Sequence, residues 1–239
     1  MENKRFGAWG KRACLTLLII FLLIPITVYF CFRAGGRMYY AASLLIIGYT
    51  MVPFFLVFEK RKPQARELVI LAVLSALAVI SRAAFIMLEH FKPMVAIIMI
   101  AGMAFGPEAG FLVGAVSGFA SNFIFGQGPW TPWQMFAFGV AGFLFGVLSR
   151  MKLLPKKKLW LAVMGFATVL LIVGPLLDTS SLFTMVGVFT PEAIGGTYLS
   201  GLPVNAIHGL CTFLTLFFFA EPLLEKLNRV QLKYGMLEE

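Results

Sequence analysis

The residues best equipped for chemistry in this chain gather around one polar island, "GQGPWTPWQ" at 126–134, set in an otherwise oily sequence. Gly and Pro set special backbone angles and each Pro lacks an N–H, so this stretch cannot continue a membrane-spanning helix. Its side chains suit binding. Rigid indoles contact flat organic surfaces at small entropic cost, and amides then fix orientation through hydrogen bonds. Gln127, Trp130, Trp133 and Gln134 supply both kinds of group, with Asn122 just before them. Further along, Asp178, Tyr198, Asn205 and His208 place polar groups at a comparable depth, and convergence of that sort at one end of a bundle makes a pocket. The competing reading is that Trp130 and Trp133 only anchor the loop at a bilayer interface, where Trp is common.

Catalytic chemistry is poorly supplied. The sequence has no G-x-x-x-x-G-K-[ST], no H-E-x-x-H and no G-x-S-x-G, and His90 and His208 lie far apart. Near the interiors of the apolar runs the charged side chains reduce to Arg82, Asp178 and Glu221. An intramembrane hydrolase or a proton relay needs more acids than that. No catalytic residue and no metal ligand is therefore assigned, and ATP binding is left to other subunits. Arg82 is expected to pair with Asp178 or Glu89, or to touch a ligand; Asp178 is expected at the end of its helix. Cys14, Cys31 and Cys211 fall in or beside apolar runs without metal-ligand spacing, as small buried hydrophobes do.

Composition says what must hold these groups in place. The 239 residues are 60% hydrophobic and 13% charged, with a mean hydropathy of +0.89. That is the composition of an all-α integral membrane protein, since each span consumes about 20 apolar residues. The formal charge of +9 comes from clusters between apolar runs and not from a basic face, so nucleic acid is not the expected partner. The first apolar run is too long, and the second too close behind it, for a cleaved signal peptide. Eight helices are expected, at about 14–32, 38–58, 68–88, 93–105, 108–125, 132–149, 159–177 and 202–223. Lys4, Arg5, Lys11, Arg12, Lys60 to Lys62, Arg66, Arg150, Lys152, Lys156 to Lys158, Lys226, Arg229 and Lys233 fall on one side, against Arg33, Arg37 and Lys92 on the other. Both termini are therefore expected in the cytoplasm of a multi-pass plasma-membrane protein, with the 126–134 loop and irregular loops near 89–92 and at 178–200 outside.

Two patterns organise the chain further. The charged, Pro63-containing segment 59–66 divides an N-terminal helical pair, 1–58, from a core, 67–239. Glycine recurs every fourth residue at Gly102, Gly106, Gly110, Gly114 and Gly118, and again at Gly139, Gly142 and Gly146, which lets neighbouring backbones approach closely. Pro107 suits the first turn of the helix that follows Gly106.

From about 66 to 235 the chain resembles the S component, the substrate-binding membrane subunit, of energy-coupling factor (ECF) vitamin transporters. The resemblance is carried by "ELVILAVLSALAVISR" with its Ala72-x-x-x-Ala76 motif, by the hairpin "AGMAFGPEAGFLVGAVSGFASNF" and by the tail "AEPLLEKLNRVQLKYG". It implies a six-helix core, here preceded by an extra pair of transmembrane helices, and docking through Ala72 and Ala76 on a T component that works with two ATPase subunits. It also implies capture of a vitamin on the outer side, with toppling in the bilayer to deliver it and no cofactor of the chain's own. The "GQGPWTPWQM" loop looks most like the cobalamin-type branch, and riboflavin, a queuosine precursor or another flat heterocycle stand as alternatives. Outside this class, a membrane-embedded enzyme would have to use Asp178 with His208. An assembly subunit with no small ligand would leave the tryptophans as anchors.

Overall fold

The computed structural model describes Leu23, residues 26–27, Met38–Lys60, and residues 64–155, 157–186 and 190–234. The expected first helix at 14–32, with Cys14 and Cys31, lies almost wholly outside the described residues. So do most of the N-terminal charges and the centre of the 59–66 segment.

The described residues form helices α1 (Met38–Lys60), α2 (Ala65–Ala84), α3 (Met94–Phe105), α4 (Pro107–Phe125), α5 (Thr131–Arg150), α6 (Lys158–Thr168), α7 (Gly174–Met185) and α8 (Pro191–Lys233), with no strand among them. A π-helical turn, Val169–Val173, joins α6 to α7 without a break. Among the described residues, five rods are long and apolar enough to cross a membrane: α2, α4, α5, α8 and the continuous α6–α7 rod. The chain is thus an all-α membrane protein. Helices suit that medium because they satisfy their backbone groups internally.

α3 is the axis of the bundle. Met94 through Gly102 are buried without interruption, and α2, α4, α5 and α8 all pack around them. Its 12 residues rise about 18 Å, short of a bilayer core of about 30 Å, so α3 must be sheathed by its neighbours. The four-residue glycine spacing makes that sheathing tight. A Cβ at Gly102 or Gly110 would fall on the Gly142 carbonyl, and one at Gly114 on the Phe138 carbonyl, so α3, α4 and α5 touch backbone to backbone. Gly106, at φ 90°, makes the turn between α3 and α4 that a side chain would strain, and Pro107 then opens α4.

The helices alternate in direction, and their ends bond accordingly. At one end, here the basic end, Ser149 Oγ donates to the Met103 carbonyl, Gln231 Nε2 to the Ala104 carbonyl, and Arg66 to the Tyr234 carbonyl. Arg150 lies 3.6 Å from Glu108 there. The other end carries the Gly126–Trp130 turn and is the loop end.

Three boundaries differ from the sequence reading. α2 stops at Ala84 and gives way to turns. The 178–200 stretch is largely helical, not irregular: α7 runs to Met185, and α8 begins at Pro191, where the Thr190 hydroxyl accepts from the Ala193 N–H. Thr-Pro at N-cap and N1 is a strong helix start that hydropathy alone does not register. Asp178 therefore sits inside α7 and does not end a helix. Finally, α1 packs on the core: Ile47 and Met51 are buried with Phe111, Ala115 and Trp133.

Candidate functional site

At the loop end a cavity of about 320 Å³ opens between five helices. α2 and the turns after it contribute Arg82, His90 and Lys92, and α3 contributes Met94. Gln134 and Phe138 come from α5, Leu177, Asp178 and Ser181 from α7, and Val204, Asn205 and His208 from α8. Two further hollows lie among the described residues. One of about 800 Å³ lies at the basic end among residues such as Leu154, Lys158, Glu225 and Gln231. One of about 450 Å³ is an almost wholly apolar groove between α2, α3 and α8. Size does not select among them. Convergent polar groups over an apolar wall mark a ligand site, and of these three the loop-end cavity collects Gln134, Asp178, Asn205 and His208, which the sequence singled out.

The polar groups are held by two networks. In the first, Arg82 Nη1 donates to Ser121 Oγ at 2.5 Å and to Asn122 Oδ1 at 3.0 Å, while its guanidinium lies 4.3 Å from the centre of the Phe125 ring. Asn122 Nδ2 donates onward to Gln134 Oε1 and to Thr131 Oγ1, both at 2.9 Å. With its oxygen so engaged, Gln134 keeps its amide nitrogen without a partner among the described residues. In the second, Asn205 Nδ2 donates to Asp178 Oδ2 at 2.8 Å across the α7–α8 seam. Arg82 thus engages neutral groups and a ring, not the Asp178 or Glu89 carboxylate expected from sequence. His208 meets the Phe138 ring edge-on, 6.5 Å between centroids, and does not bond Asp178, so no acid–imidazole pair forms.

Lys92 closes the α2 side. Its Nζ donates to the carbonyls of Phe85 and Leu88, groups left over where α2 ends. Loss of hydration, and then the charge of Arg82, lower the pKa of this ammonium from its ordinary value.

Of the nine site residues expected from sequence, Gln134, Asp178, Asn205 and His208 line the cavity. Asn122 stands directly behind it and orients Gln134. Gln127 instead braces the loop: its Nε2 donates to the Phe119 carbonyl, and its Oε1 accepts from Thr131 Oγ1. Trp130 packs over Gly128, with its Nε1 donating to the Gly126 carbonyl at 3.3 Å. Trp133 is buried on the flank of α5 away from the cavity, stacked 5.9 Å from Phe183, and its Nε1 has no partner among the described residues. Tyr198 bonds Thr179 at 2.8 Å, outside the lining.

Sequence reasoning missed Lys92, His90, Ser181 and Phe138 as lining, and Thr131 as the hub of the loop. Ser181 was within reach, because it follows Asp178 by three residues and so shares its helix face. Ala72 and Ala76 are exposed on α2 beside exposed Val69, Val73 and Ile80, opposite the buried Leu71, Leu74 and Ala78.

The family model for the S component of ECF-type riboflavin transporters matches residues 62–225. The chain belongs to this family. As an S component it is the substrate-binding membrane subunit of a transporter that includes a T component and ATPases, and its class is not an enzyme class. The match takes in α2 through most of α8 and therefore the whole loop-end cavity, while α1 lies outside it. No solved structure matches the chain.

Proposed function

We propose that this S component captures a flavin-sized heterocyclic nutrient, riboflavin in the first instance, in the loop-end cavity. One observation carries the reading: Gln134, Asp178, Asn205, His208 and Arg82 meet around a hollow walled by Phe138, Leu177 and Met94. Amides, a carboxylate and a guanidinium read the carbonyl and hydroxyl groups of such a ligand, and the apolar wall takes its ring. The matching family's name supports riboflavin. The volume supports the smaller ligand too. About 320 Å³ lies at the low end of the roughly 300–1,000 Å³ that ligand sites occupy. A cobalamin-type corrin, which the tryptophan loop suggests, is several times bulkier.

Under this reading the loop end faces outside and both termini face the cytoplasm. The exposed Ala72 and Ala76 stripe docks on the T component, and partner ATPases drive release after the loaded subunit topples. Mass spectrometry of small molecules that co-purify with the protein, followed by riboflavin titration of the emptied protein, tests the ligand. Saturable binding with riboflavin in the extract supports it. A corrin in the extract, with no flavin binding, overturns it in favour of the cobalamin-type alternative.

A further inference from the structure

The loop-end cavity is electrically lopsided. Arg82 and Lys92 stand on its α2 side, and Asp178 with Asn205 on its α7–α8 side. The opposite charges share a hollow yet do not pair. Arg82 is held by Ser121, Asn122 and the Phe125 face, and Lys92 by two backbone carbonyls. Among the described residues Asp178 receives a single bond, from the neutral Asn205 amide, and it leans on α8 at a place where Gly201 leaves room for its carboxylate. A charge inside a membrane protein is costly unless something compensates it, and here the hydrogen-bond partners of both poles among the described residues are neutral, with Glu89 a more distant charge acting on Lys92.

We propose that the ligand itself bridges the two poles, with an acceptor-rich edge at Arg82 and Lys92 and a hydroxyl or N–H donor at the Asp178–Asn205 pair. The proposal rests on the loop-end cavity being the ligand site. It names a class of substrate: a planar molecule carrying carbonyl or acidic acceptors at one end and donors at the other. A permanently cationic nutrient would meet two cations, and a hydrocarbon would leave both poles unmet. In a flavin, the dicarbonyl pyrimidine edge would face Arg82 and the ribityl hydroxyls would face Asp178, with the Phe138 and His208 rings alongside.

The test is a ligand-by-variant cycle on the full-length protein in nanodiscs, reading flavin fluorescence. Riboflavin is compared with lumiflavin, which keeps the ring and lacks the ribityl chain. Arg82→Gln is expected to weaken both ligands by about tenfold or more, whereas Asp178→Asn should weaken riboflavin by about tenfold and lumiflavin by less than about twofold. Arg82→Lys and Asp178→Glu, which keep the charges, should each recover part of the loss and so separate polarity from misfolding. Riboflavin binding within about twofold of wild type in Asp178→Asn overturns the proposal, as does an equal loss for both ligands. If the wild-type protein binds neither flavin, riboflavin falls as the ligand, and the co-purified molecule then decides the bridge. A molecule with acceptors and donors at opposite ends supports it; a cation or a hydrocarbon refutes it.

Discussion

Asn205 Nδ2 donates to Asp178 Oδ2 at 2.8 Å, and each of these two side chains rests against a glycine of the opposite helix. A Cβ at Gly201 on α8 would strike the Asp178 carboxylate, and one at Gly174 on α7 would strike the Asn205 amide. The seam is therefore cut to the shape of this polar pair, which in turn lines the cavity.

Gly201→Ala should accordingly push Asp178 off its seat. Overpacking of this kind costs about 1–3 kcal/mol, and ligand affinity should fall by about tenfold or more while helix content by circular dichroism stays unchanged. Gly195→Ala and Gly196→Ala, where a Cβ meets open space, are the controls. An unchanged affinity in Gly201→Ala would detach the pair from the site.

Ala72→Leu with Ala76→Leu should abolish uptake by cells while the purified protein binds ligand as before. Both alanines are exposed on the face of α2 opposite its buried residues, so bulk added there leaves the core alone and obstructs only a close partner helix. Normal uptake by a well-expressed double variant would remove α2 from the docking face.

α1 offers a third measurement. Ile47 and Met51 are buried against Phe111, Ala115 and Trp133, and the Phe55 ring meets Phe111 edge-on at 6.0 Å. Truncating a buried Ile or Met to Ala costs about 2–5 kcal/mol, so Ile47→Ala with Met51→Ala should melt several degrees lower in detergent. Deleting residues 1–64 should still leave a folded core that binds ligand, with weakened packing around Trp133. A truncated protein that inserts but binds nothing would make α1 part of the site.

Trp133 separates packing from polarity. Trp133→Ala removes the stack on Phe183 and should cost about 3–5 kcal/mol. Trp133→Phe keeps an aromatic there and deletes an N–H that has no partner among the described residues, so its melting should stay within about 1 kcal/mol of wild type. If Trp133→Phe instead loses ligand affinity by about tenfold, the indole N–H is a ligand contact.

The bundle was readable from sequence because its cause is written locally. Apolar runs of spanning length, Gly102 to Gly118 at four-residue spacing and Gly106-Pro107 at a turn each act within a few residues of where they stand. The site was readable only in part. Gln134, Asp178, Asn205 and His208 drew notice as polar groups in apolar runs. Lys92 and His90 did not, since nothing near them in sequence tells a topological charge from a cavity wall. Asp178 was given a helix end because hydropathy fades after Leu177, whereas Thr190-Pro191 and the run to Met185 keep the chain helical. Trp130 and Trp133 invite a ligand-contacting role by composition. Trp130 folds back on Gly126 and Gly128 close by, whereas the direction Trp133 takes depends on α1 and on Phe183, which are remote in the chain.

The π turn at Val169–Val173 carries a consequence for how this rod tolerates insertions and deletions. Such a turn holds one residue more than an α-helical path would, so it acts as a phase shifter between the two halves of one span. Each residue in an α-helix turns the next by about 100°. Deleting the lipid-exposed Leu171 would therefore let the segment wind as ordinary α-helix while Gly174, Asp178 and Ser181 keep their places relative to α6. Winding the same residues as α-helix without a deletion would instead turn Asp178 and Ser181 by about that angle away from the cavity and take Gly174 from under Asn205. The turn is thus slack stored in the span, and ligand binding should survive the loss of Leu171 but not an insertion that unwinds the turn.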